Sequence, residues 1–143
     1  MSYWIFKANP ERFRIEERLK DARDQTSWLV TRYRADIKPG DVAFIWFGGR
    51  EPGIRAVMRV DSQPAIRDEL DHERPYWNDS RDAKPRHRVL GHFTNRCPLL
   101  TAKRLKSIRG LDKLSVFHGF QQGTNFRVTE EEGKALLRLV ERA

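Results

Sequence analysis

The chain has 143 residues, 38% hydrophobic and 34% charged, with a formal net charge of +8. That length suits one domain over residues 1–143, able to bury a core without staples. Cys97, the one cysteine, has no partner for a disulfide, and four scattered histidines give no zinc spacing, so neither a metal nor a cofactor is expected.

Tyr3-Trp-Ile-Phe-Lys7 predicts an opening strand, and Asn9-Pro10 a helix start, with Asn at the cap and Pro in the first turn. A helix follows over 11–22. Its apolar stripe of Phe13, Leu19 and Ala22 is thin and its charges interleave, which places it on the surface. Ser27-Trp-Leu-Val-Thr31 reads as a short strand or extended segment. Lys38-Pro-Gly-Asp41 reads as a type II turn, since Pro presets φ at the second position and Gly accepts the positive φ required at the third.

Residues 41–60 organise the rest as a β-hairpin: Asp41-Val-Ala-Phe-Ile-Trp-Phe47, a Gly- and Pro-rich loop, then Ile54-Arg-Ala-Val-Met-Arg-Val60. Val42, Phe44 and Trp46 share one face of the first arm and Ala43, Ile45 and Phe47 the other. Both faces are apolar, which predicts a strand in the middle of a sheet or barrel. The acidic stretch over 61–79 reads as a long solvated connection with one short helix at 65–71.

Arg86 to Cys97 predicts a long strand with basic side chains outward, ending at Pro98. Thr101 then caps a short helix, with Leu105 and Ile108 inward and Lys103, Arg104 and Lys106 outward. Residues 114–120 read as a turn of helix or an extended piece, Gln121 to Asn125 as a loop, and Phe126-Arg-Val128 as a short strand. Thr129 and Glu132 form a capping box for a last helix that buries Leu136, Leu137 and Val140. These elements make an α+β chain whose strands are too short and turn-rich for βαβ crossovers, and a small twisted β-barrel decorated by several helices fits them best.

Residues 81–110 hold nine Lys and Arg against one acid, Asp82, a net of +8 that equals the charge of the whole chain. Such a stretch suits a surface that neutralises phosphates, and it equally suits a solvated face. No apolar run approaches the ~18–20 residues that span a bilayer, and the start lacks the layout of a signal peptide, so a cytoplasmic protein with no membrane partner is the default expectation.

Catalysis has little support. No phosphate loop or nucleophile elbow appears, and His118 near Ser115, or His92 near Cys97, lacks a third orienting group. The four Trp residues are a better lead. Trp28 sits in a polar context of Gln25, Thr26 and Ser27, and a flat ring beside small hydrogen-bonding groups is how a protein holds an unstacked base. Trp4 and Trp46 read more readily as core.

The blocks Tyr3 to Pro10, Ser27 to Arg32, Ile37 to Trp46, Gly53 to Val57, and Gln122-Gly-Thr124 ahead of a terminal helix together resemble an EVE domain, nearly end to end. That family is PUA-like and related to the YTH readers of methylated adenine in RNA, and its prokaryotic members are linked to sensing modified DNA. The resemblance implies a pseudobarrel and a non-enzymatic module that binds nucleic acid and takes a modified cytosine or adenine, favoured in DNA, into a Trp-lined pocket. Trp28 would be the stacking wall with Ser27 and Leu29 beside it, Asn9 a polar base contact, Trp46 a strand position of the pattern, and Gln122, Gly123 and Thr124 the closing edge. Arg86, Arg88, Lys103, Arg104 and Lys106 would hold phosphates. YTH readers have a second Trp near the place of Gly91, so the second wall here is either absent or supplied by Trp46, Tyr76 or Trp77. An RNA-binding accessory module is the alternative. A small hydrolase on the same fold is another, and needs a Lys, such as Lys7, or a carboxylate inside the pocket. A reader of this size has no cutting machinery, so any downstream act falls to an effector protein such as a nuclease or NTPase.

Overall fold

The computed structural model describes residues 1–118 and 123–143. In chain order it holds β1 (Tyr3–Ala8), α1 (Ile15–Lys20), β2 (Gln25–Leu29), β3 (Val42–Phe47), β4 (Gly53–Val60), β5 (Ala65–Arg67), β6 (Arg86–Thr101), α2 (Ala102–Lys106), β7 (Asn125–Val128) and α3 (Glu130–Arg142). The hairpin of β3 and β4 is central, and β3 is buried on both faces. The sheet order is β2-β6-β4-β3-β1-β7, with β5 also paired to β6.

The sheet is mixed. β1 runs parallel to β3, from Tyr3 opposite Val42 to Ala8 opposite Phe47, so residues 9–41 with α1 and β2 form a crossover that the short strands argue against in the sequence. Nor does the ladder close into the expected pseudobarrel. Among the described residues its end strands, β2 and β7, share no backbone pairing. The buried side chain of Asn125 spans the gap, its Oδ1 accepting from the Thr31 N–H at 2.8 Å and its Nδ2 donating to the Leu29 carbonyl at 3.0 Å. One amide ties two distant strands, so the open sheet must curve.

The 38–41 turn has the expected geometry. Gly40 has φ +91° and the Asp41 N–H donates to the Lys38 carbonyl at 3.1 Å. Asp41 is itself buried, and its carboxylate accepts from the Ser2 N–H, the Trp4 Nε1–H and the Lys38 N–H, each at 2.9 Å. A charge out of water is tolerable only when so satisfied.

Three expected elements differ. The helix over 11–22 is confined to Ile15–Lys20, because Asn9 closes a turn instead: its carbonyl accepts from Arg12 and Phe13, and its Oδ1 from the Glu11 N–H at 3.0 Å. The short helix at 65–71 is replaced by β5, whose Ala65, Ile66 and Arg67 pair with Arg88, His87 and Arg86. The long strand does not end at Pro98. On β4, Ile54 opposes Leu100 and Ala56 opposes Arg96, so Pro98 falls in a bulge where its missing N–H leaves no ladder bond unmade.

Side chains pack on both sides of the sheet. On one side Trp4, Phe6, Ala43, Ile45 and Phe47 meet Phe13, Ile15, Trp28, Val89 and Phe93. On the other, Ile5, Phe44, Trp46 and Ile54 meet Leu105, Leu114, Leu136 and Val140 from α2, α3 and the segment between α2 and β7. Thr129 and Glu132 form the expected capping box, and Leu136 and Val140 lie buried on α3, whereas Leu137 is partly exposed. No helix among the described residues is long and apolar enough to cross a membrane.

Candidate nucleic-acid interface

β1, β2 and β3 end at a common place, and a cavity of ≈ 900 Å³ opens there. Asn9 and Pro10 follow β1, Gly48 to Arg50 follow β3, and Ser27, Trp28 and Leu29 close β2; all of them line it. Gly123 and Thr124 enter from the segment before β7, and the Thr124 carbonyl accepts from the Lys7 N–H at 2.8 Å.

Aromatic rings form one side. Trp28 stacks on Phe6 with centroids 6.4 Å apart and meets Phe13 edge-on at 6.5 Å. Phe13 in turn touches Trp77, centroids 4.7 Å apart, and Phe13, Trp28 and Trp77 all border the cavity. The second Trp therefore comes from the acidic connection. Gly91 has no room for one: a Cβ there would stand 2.3 Å from the Met58 Cε and 2.5 Å from the Arg59 carbonyl oxygen.

The acidic connection is no solvated loop at this point. Glu69 and Glu73 are buried and bind the free edge of β2. Glu73 accepts from the Ser27 N–H at 3.2 Å, from the Thr26 hydroxyl, and from the Arg18 Nε at 2.5 Å. Glu69 accepts from the Ser27 hydroxyl, from its neighbour Leu70 N–H at 2.9 Å, from the Trp77 Nε1–H at 2.8 Å and from the Arg88 Nη1 at 3.1 Å. Burial pushes the Glu73 carboxyl above the ordinary range, against the pull of Arg18 and Thr26. Burial likewise lowers the Arg88 pKa, with the Glu69 charge opposing it.

The basic stretch does not form one outward face. Arg88, expected on phosphates, is wholly buried: besides Glu69 it donates to the Asp82 and Lys84 carbonyls at 3.0 and 3.1 Å, and its Nε has no partner among the described residues. Arg96 turns back to Asp24 at 2.7 Å and to the Leu19 carbonyl at 3.1 Å, fastening β6 to the end of α1. Arg86 lines the cavity, and neither it nor Arg50 makes an ion pair among the described residues. Arg12, another lining residue, is paired with Asp82 at 3.0 Å. Lys7 also lines the cavity, its pKa lowered by desolvation. Lys103, Arg104 and Lys106 are exposed on α2, which begins where the Ala102 N–H donates to the Pro52 carbonyl, at the end of the loop that carries Arg50.

Of the other residues singled out in the sequence, Asn9, Ser27, Trp28, Leu29, Gly123 and Thr124 border this cavity. Trp46 does not. It points to the opposite side of the sheet, edge-on to Phe117 at 5.7 Å, because it shares the phase of Val42 and Phe44. Gln122 lies outside the described residues. Phe13, Arg50 and Glu69 were not singled out, and no local pattern marks them: a lone aromatic, an Arg in a Gly-rich loop and one acid among many. Among the described residues no group of three or more His, Cys, Asp or Glu could hold a metal ion.

The family model for the EVE domain matches residues 2–139. No curated protein matches significantly. Among solved structures, a hypothetical protein from Leishmania major is 25% identical, with 99% of this chain and 96% of that one covered and a TM-score of 0.67. A protein from Pseudomonas putida is 24% identical, covering 96% of this chain and 99% of that one, TM-score 0.65. The human THYN1 protein in complex with 5-methylcytosine containing DNA is 23% identical, covering 100% and 99%, TM-score 0.63.

Proposed function

The chain belongs to the EVE domain family, and from that premise we propose that it binds nucleic acid without turnover and holds one modified base in the cavity beside Trp28. The observation that carries this reading is the meeting, in one cavity, of Phe13, Trp28 and Trp77 with the ion-pair-free cations Arg50 and Arg86. Aromatic faces stack on a base and contribute ~1–3 kcal/mol, whatever its sequence context. A base reaches them only when unpaired or turned out of its duplex.

Polar groups at the rim supply the edge contacts. The Asn9 Oδ1 is engaged by the Glu11 N–H, which leaves its amide nitrogen as the donor for a ligand. The Leu29 carbonyl faces the open edge of β2, where it takes Asn125, and in an antiparallel strand the N–H of that residue faces the same side. Donors therefore predominate, suited to the acceptor atoms of a base. Arg86 and Arg50, continued by Lys103, Arg104 and Lys106 beyond the Pro52 contact, would take the phosphates, giving affinity where the cavity gives selectivity. DNA carrying a modified cytosine is the favoured ligand, by analogy with the human THYN1 complex.

A hydrolytic use would need a free proton-transfer group. Lys7 is in place, whereas Glu69 has four donors on its two oxygens and Asp82 is paired with Arg12, so the hydrolase alternative rests on Lys7, and a turnover assay on acylated nucleosides tests it.

Fluorescence anisotropy with matched oligonucleotides carrying cytosine, 5-methylcytosine, 5-hydroxymethylcytosine, adenine or N6-methyladenine, as DNA and as RNA at two salt concentrations, tests the reading. A preference for one modified base that survives higher salt is the expected result. Preference for RNA throughout would favour the accessory-module alternative, and uniform, steeply salt-sensitive binding would leave only the cationic surface.

A further inference from the structure

Ser27 and Trp77 are 50 positions apart, on β2 and on the connection between β5 and β6, yet their polar hydrogens end on one carboxylate. Glu69 is 4% exposed. Its Oε1 takes the Ser27 hydroxyl and the Leu70 N–H, and its Oε2 takes the Trp77 Nε1–H at 2.8 Å and the Arg88 Nη1 at 3.1 Å. A carboxylate offers about four lone-pair directions, and four donors fill them, so Glu69 has nothing left to give a ligand.

We propose that Glu69 is the positioning residue of the cavity, fixing where the Trp77 ring stands relative to the β2 strand that carries Trp28, and thereby which base the cavity admits. This rests on the base-binding reading above. The backbone of Trp77 is fixed by a bridge to Phe13, with the Arg14 N–H on the Tyr76 carbonyl at 2.8 Å and the Asn78 N–H on the Arg12 carbonyl at 2.9 Å, and its ring packs on Phe13 at 4.7 Å. Among the described residues only the charge-assisted hydrogen bond to Glu69 takes its indole N–H and so sets the direction of the ring. The Arg88 guanidinium is the carboxylate's buried ion-pair partner and is held in turn by the Asp82 and Lys84 carbonyls. The wall residue is thus anchored through Glu69 to both β2 and β6.

Glu69→Gln tests it, because glutamine keeps the shape, has one acceptor oxygen in place of two, and turns an N–H₂ toward groups that are themselves donors. Trp77→Phe keeps a ring and deletes the donor. Two readouts are needed: the ratio of affinities for oligonucleotides with and without the preferred modified base, and the amide and indole NMR resonances, which require no ligand. Glu69→Gln should move the Trp77 indole and the Ser27 and Trp28 amide resonances together and lower the affinity ratio about tenfold, while salt-sensitive binding to the unmodified strand changes less than about twofold. Because both substitutions break one link, the double variant should discriminate no worse than the poorer single one.

The proposal is overturned if folded Glu69→Gln keeps the full ratio, if its resonance changes stop at Trp77 and do not reach Ser27 and Trp28, or if the two substitutions add. Should Glu69→Gln not fold, Trp77→Phe alone decides: an unchanged ratio and unchanged β2 amides overturn it. A wild-type protein that prefers no base would sink the base-binding reading instead, and the resonances would still show whether Glu69 couples the two elements.

Discussion

Trp28 and Trp46 both lie on strands next to the core and are almost equally buried, at 7% and 4% exposed. Their surroundings differ in kind. Trp46 is on the side covered by α2 and α3, in an apolar cluster with Phe44, Ile54 and Leu105, and Phe117 is edge-on to it. Trp28 is on the side where three strands end, packed on Phe6 and Phe13 below and open to a cavity fringed by charge. A ring packed in an apolar cluster contributes packing, while one beside a cavity offers its open edge to a ligand. Burial fraction does not separate the two; what covers the ring does.

The same truncation on the two sides should therefore read out differently. Trp46→Ala leaves a sealed cavity and should destabilise by ~3–5 kcal/mol, measured by urea denaturation, with base discrimination intact in the fraction that folds. Trp28→Ala should lose the discrimination, a cost of ~1–3 kcal/mol in binding, while much of the nonspecific binding remains. Loss of discrimination in folded Trp46→Ala would erase the distinction between the two sides.

Buried charge is the second difference. Among the described residues the two arginine–glutamate pairs buried at both partners, Arg18 with Glu73 and Arg88 with Glu69, are on the cavity side. Replacing Arg18 by Met leaves Glu73 buried without its counter-charge, and chemical denaturation should show a loss of ~3 kcal/mol or more. Replacing Lys103, Arg104 and Lys106 together by Ala should leave stability within about 0.5 kcal/mol. That variant should bind all strands less tightly and reduce the slope of log K against log salt by ~2–3 if each cation meets a phosphate. A change in the ratio between modified and unmodified strands would mean that α2 reaches the base as well.

How far the sequence shows this depends on whether the signal is local. The hairpin, the Gly40 turn and the α3 capping box are each written in a few adjacent residues, and each is found in the structure. The parallel pairing of β1 with β3 is not, since nothing near Tyr3 marks Val42 as its neighbour. Alternation groups Trp46 with Val42 and Phe44 but does not tell which side of the sheet is open, and the cavity's fringe is likewise set by the ends of distant strands. Glu69 and Glu73 are hidden most deeply. An acid is almost never buried unless paired, and their partners lie 19 and 55 positions away, so in the sequence both look like members of a solvated acidic run. Arg88 is misread for the same reason.

The smallest effect concerns pH and separates Glu73 from Arg18 as contributors. Burial raises the Glu73 pKa above the ordinary 4.5, so the folded protein holds that proton more tightly than the unfolded chain. The associated stability is fully present below about 4.5 and is lost as pH rises through the folded value, because deprotonation is easier once the chain unfolds. Arg18 limits the loss, since the carboxylate that forms is not left alone. Glu73→Gln removes the titration and mimics the protonated carboxyl, so its stability should fall less than that of the wild type between pH 4 and 7. Urea midpoints across that range measure it. A wild-type curve that rises instead over the same interval would mean that the pull of Arg18 on Glu73 exceeds the cost of its burial.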